Sequence, residues 1–109
     1  MDFKTYQEQA RLTAQYPNLG SNIIYPTLGL VGEAGEVAEK VKKVIRDKKG
    51  IFDDESKKGI KKELGDALWY LSNLCNEFDF KLEEVALQNL DKLKLRAAKG
   101  KISGSGDDR

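Results

Sequence analysis

Four carboxylates in two pairs are the residues best able to do chemistry in this sequence: Glu33 with Glu36, and Glu63 with Asp66. Each pair is spaced i, i+3, so on a helix its members are surface neighbours. Spacing alone decides little. Chance gives about as many such pairs among 18 acids in 109 residues as the three that occur, and a solvated acidic face is the simple alternative. If two helices bring both pairs together, four like charges repel, and a divalent cation held by oxygens relieves the repulsion.

The missing residue types narrow that chemistry. There is no histidine, so imidazole bases, Ser-His-Asp triads and His-ligated metals are excluded. One cysteine, Cys75, allows neither an internal disulfide nor an all-cysteine zinc site, and it suits a reducing, cytoplasmic compartment. Cys75 reads as a small apolar filler. A metal must therefore be oxygen-ligated: magnesium, manganese or calcium. Acid–base work falls to carboxylate, Lys, Tyr or water. A net charge of +1 with no basic recognition helix argues against nucleic acid and anionic membrane as partners. No apolar run is long enough to span a bilayer, and the N-terminus has no signal-peptide pattern.

The elements that must position the acids are helices. The length fits one domain. Apolar residues recur at three- and four-residue steps, and no proline follows Pro26. The pattern predicts helices over residues 2–15, 26–46, 54–78 and 81–98, with a Pro/Gly/Ser/Asn-rich loop over 16–25. Residues 101–109 form a Gly/Ser-rich tail without periodicity, so the helical domain is 1–100. Short connections between amphipathic helices favour an all-α antiparallel bundle of about four helices, completed by oligomerisation.

Rotation by about 100° per residue then places the acids. The second helix's apolar stripe centres near Ala34 and Val41, with Glu33 about 90° and Glu36 about 150° to one side. The third helix's stripe centres near Leu64 and Leu71, with Glu63 and Asp66 offset by about the same angles in the same sense. An antiparallel hairpin carries equal offsets onto one edge. The pairs are also equidistant from the loop around residues 49 and 50, so they sit level.

Three further features surround them. Gly29, Gly32 and Gly35 make a ridge that admits another backbone or a ligand. Asn89, Lys92 and Arg96 fall within about 60° of one another on the fourth helix, a row suited to phosphate oxygens or to a solvated flank. Lys99, Lys101 and Arg109 extend the cationic reach. Trp69 lies about 150° from its helix's apolar centre and needs a second surface, either a subunit interface or a stacked nucleobase. Tyr70 borders the acids and could serve either role.

Taken in order, Gly29-Leu-Val-Gly-Glu-Ala-Gly-Glu36, Glu63-Leu-Gly-Asp-Ala-Leu-Trp-Tyr70 and Asn89-Leu-Asp-Lys92 with Arg96 resemble the MazG-like, all-α nucleoside triphosphate pyrophosphohydrolases. The resemblance runs from Leu28 to the end, including the tail. It implies that Glu33, Glu36, Glu63 and Asp66 bind magnesium, with manganese as a substitute. It also implies cleavage of a nucleoside triphosphate between its α- and β-phosphates, and assembly as a homodimer or homotetramer. The family signature is Glu-Glu-x-x-Glu followed by Glu-x-x-Asp, and here Gly32 stands where the leading glutamate would be. Within that reading Glu36 is the candidate general base, ahead of Glu39. Asn89, Lys92 and Arg96 hold phosphate, and the tail closes over the substrate. The alternatives are a non-catalytic helical interaction module, a nucleotide sensor, and phosphoribosyl-ATP hydrolysis.

Overall fold

The computed structural model describes residues 1–100, so the tail and its expected closure lie outside the described residues. The chain is all-α, a four-helix bundle of α1 (Phe3–Leu12), α2 (Ile24–Asp47), α3 (Asp54–Glu77) and α4 (Leu82–Ala98). Local chemistry sets the ends. The Asp2 carboxylate accepts from the Thr5 N–H at 2.7 Å and starts α1. Asp53 does the same for Ser56 at 2.8 Å and starts α3. These bonds and the Lys48 ammonium hold the Asp53 carboxyl down at about 2. α2 begins two residues earlier than expected, because Pro26 in its first turn needs no N–H partner there. α1 ends earlier than expected, at Leu12 rather than residue 15. The Thr13 hydroxyl donates to Ala10 O at 2.9 Å just past its end.

The antiparallel pair α2–α3 is the spine; α1 packs on α3, and α4 packs chiefly on α1. Gln7 pins α1 to the α3–α4 turn. Its amide donates to Asn76 Oδ1 at 2.9 Å and Phe80 O at 2.8 Å, and its oxygen accepts from the Leu82 N–H at 2.9 Å. Asn73 is fully buried beneath α1 and donates to Ala10 O and Trp69 O. Cys75 is buried as expected, and burial pushes its thiol pKa up.

The apolar stripes do not pack as the rotation argument placed them. The α2 positions that lose solvent include Leu30, Glu33, Val37, Val41 and Val44; on α3 they include Ile60, Glu63, Ala67, Leu71 and Leu74. Val31 and Ile45 remain 66% and 63% exposed, and Leu64 54%. The physical reason is width: each helix carries more apolar arc than one seam covers, and the seam settles toward the acidic side. The radius of gyration, 16.7 Å, exceeds the value of about 13 Å for a compact domain of this length.

Candidate metal centre

Shifting the seam brings the acids inward. Glu33 from α2 meets Glu63 and Asp66 from α3, and one carboxylate oxygen of each lies within 4.8 Å of the others. Glu33 and Glu63 are half-buried and Asp66 is exposed. Three of the four expected carboxylates thus converge. Glu36, one turn further along α2, is exposed and lies outside this group, although its charge still acts on Glu33. Glu39, the second candidate base, is tied to Lys42 at 2.7 Å, and that bond lowers its pKa.

The cluster has little internal relief. Contact with the Glu63 carboxyl is the main reason the Glu33 pKa is raised, followed by burial and by the charges of Asp66, Glu63 and Glu36. The cation that reaches the group is Lys40, 3.7 Å from Glu63. Lys40 was not among the sequence candidates; its i+4 spacing from Glu36 reads as an ordinary surface pair and gives no hint of the contact with Glu63. An oxygen-only, convergent, mutually repelling donor set suits a hard divalent cation, so the residues present fit the expected metal.

Beside the carboxylates stands a wall of rings. Tyr70 occupies the space where a Cβ at Gly29 would sit, so the first glycine of the ridge serves close helix packing. A Cβ at Gly32 or Gly35 would meet nothing within 4 Å, which leaves that part of the ridge open. Burial raises the Tyr70 pKa, and Tyr25, Glu33 and Asp66 add to it, which ties the ring to the acidic group. Tyr70 meets Trp69 edge-on at 5.0 Å and Tyr25 at 6.4 Å, and Tyr25 stacks on Tyr16 at 5.1 Å. With Thr13 and Gln15 these rings line an open cleft of ≈ 500 Å³. The Trp69 indole N–H donates to the Thr13 hydroxyl at 2.7 Å. Part of the second surface that Trp69 requires therefore comes from its own chain. A larger cavity, ≈ 660 Å³, lies among Lys4, Gln7, Arg11, Asn76 and Lys81 and contains none of the clustered acids.

The fourth-helix row is mixed. Asn89 is exposed, Lys92 half-buried, and Arg96 buried with 5% of its surface exposed. Lys92 and Arg96 are both engaged in polar interactions. Tyr16, Tyr25 and Glu77 escaped the sequence reading. The first two are the end residues of the 16–25 segment read as loop. The third gave one clue, a negative charge in the last turn of a helix, where the dipole disfavours it.

Residues 26–100 match the family model of the MazG nucleotide pyrophosphohydrolase domain. The chain is 46% identical over 114 aligned positions to the Gene 37 protein of Mycobacterium phage L5, and the alignment covers 100% of both chains. No solved structure matches significantly. Among the described residues no helix is long and apolar enough to cross a membrane.

Proposed function

The chain belongs to the MazG nucleotide pyrophosphohydrolase family, and from that premise we propose that it hydrolyses a nucleoside triphosphate at the α–β anhydride, giving monophosphate and pyrophosphate. The observation that carries this reading is the convergence of Glu33, Glu63 and Asp66 across the α2–α3 seam. These three, with Glu36 at the rim, would hold magnesium, or manganese in its place. Such a cation supplies positive charge that neutralises the phosphates and acidifies water.

The chain's own groups do the rest. Glu36 is exposed at the edge of the cluster and free of the lysine pairing that weakens Glu39 as a base. It orients and deprotonates the attacking water. Asn89, Lys92 and Arg96 would meet phosphate oxygens and the departing pyrophosphate. The aromatic cleft next to Tyr70 suits the nucleobase, with Trp69 and Tyr70 as stacking surfaces. Exposed Val31, Ile45 and Leu64 favour a homodimer or homotetramer that covers the open side of the hairpin. The bond cleaved is tested by identifying products from α-labelled nucleoside triphosphate. Monophosphate with intact pyrophosphate supports the reading. Diphosphate with inorganic phosphate contradicts it.

A further inference from the structure

Glu77 ends α3 where helix carbonyls disfavour negative charge, yet its side chain is 0% exposed. Donors surround it. Arg11 Nη1 donates at 2.9 Å and the Tyr16 hydroxyl at 3.1 Å, both to Oε2. The Gly20 N–H reaches both oxygens at 2.9 and 3.1 Å, and the Asn22 N–H donates to Oε1 at 2.7 Å. Burial alone would raise this carboxyl's pKa; the bonds from Asn22, Arg11, Gly20 and Tyr16 outweigh it and the net direction is down. All of these donors belong to one stretch, residues 11–22, the end of α1 and the connection to α2.

That stretch is one side of the aromatic cleft. It contributes Thr13, Gln15 and Tyr16, and Tyr16 in turn stacks on Tyr25. Glu77 is not part of the lining, so it acts on the cleft only through the segment it holds. Arg11 links the two, with Nη1 3.3 Å from the Tyr16 oxygen and the same atom on Glu77. A connection of this length without secondary structure has many conformations open to it. A saturated buried carboxylate selects one.

We propose that Glu77 is a positioning residue that fixes the 11–22 wall of the aromatic cleft and thereby sets how tightly and how selectively the nucleobase end of the substrate is held. This rests on the pyrophosphohydrolase reading. The phosphate end depends on the α2–α3 acids and the α4 row, and the Glu77 side-chain bonds go to residues 11–22 instead, so binding of the base and the rate of chemistry should separate.

The test compares wild type with Glu77→Gln and Arg11→Lys, using pyrophosphate release from the common nucleoside triphosphates and the fluorescence of Trp69, the one tryptophan in the chain. The fluorescence titrations use α,β-methylene analogues, which bind without turnover. Losing charge-assisted bonds to the wall should raise KM about tenfold in Glu77→Gln, with kcat within about twofold and a flattened ranking among bases. Arg11→Lys keeps the charge and should move KM in the same direction by a smaller factor; it carries the test if Glu77→Gln does not fold. Folded variants with unchanged KM, analogue affinity and base ranking would overturn the proposal and leave Glu77 a purely structural group. If wild type turns over no triphosphate, the functional reading fails, and analogue affinities from Trp69 still decide the role of Glu77.

Discussion

α3 carries carboxylates in two opposite conditions. At its C-terminal end Glu77 is fully covered and accepts from Arg11, Tyr16, Gly20 and Asn22, and its pKa is lowered. About three to four turns earlier, Asp66 and Glu63 face Glu33 with Lys40 3.7 Å from Glu63 as the nearby cation, and the Glu33 pKa is raised. The more deeply buried acid is the satisfied one. The partly exposed acids are the frustrated ones, and frustration marks the group that still has something to bind. Burial by itself would have pointed to the wrong end of the helix.

The contrast breaks most sharply by substitution. Glu63→Gln should cut metal-dependent pyrophosphate release by about a hundredfold or more while helical circular dichroism is retained. Full activity in that variant would remove the metal-site assignment. Glu77→Ala should do the reverse to stability. Removing one partner of a covered, hydrogen-bonded ion pair should cost about 3 kcal/mol, read as a lower urea midpoint, whereas Glu33→Gln in metal-free protein should leave the midpoint unchanged or raise it. Equal losses at both positions would erase the distinction. Gly29→Ala sharpens it from the ring side: the new methyl must displace Tyr70, at a cost of about 1–3 kcal/mol by thermal melting, while Gly32→Ala, facing open space, should be neutral or slightly stabilising.

The smallest effect is in pH. Because the folded Glu77 pKa lies below its ordinary 4.5, its contribution is complete above that value and is lost as pH falls through the folded one. The same sign holds for Asp53, whose contribution fades from about 3.8 down through about 2. Acid melts of wild type against Asp53→Ala should therefore converge as pH drops through that window. Curves that stay parallel would show that the cap's charge contributes nothing.

Much of this is legible in the sequence. Helical periodicity marked all four helices, with the long hairpin misplaced by no more than two residues at either end. The level placement of Glu33, Glu63 and Asp66 followed from their distances to the turn, because a hairpin forces equal counts on both arms. Rotation was less legible. Both faces beside the seam are apolar, so hydrophobicity could not tell which one packs, and Val31 and Leu64 stayed exposed while Glu33 and Glu63 moved inward. Trp69 and Tyr70 stood out in the sequence, but the rings facing them, Tyr16 and Tyr25, and Glu77 were hidden for another reason. Their bonds join residues 55–66 positions apart through a connection with no periodicity, and pattern arguments have no purchase on such a segment.

The most direct measurement is pyrophosphate release from a panel of ribo- and deoxyribonucleoside triphosphates, with magnesium and with chelator. The account predicts equimolar monophosphate and pyrophosphate from at least one substrate, abolished by chelation and restored by added magnesium. Release that persists unchanged in chelator, or a folded protein that neither binds magnesium nor turns over any member of the panel, would contradict it.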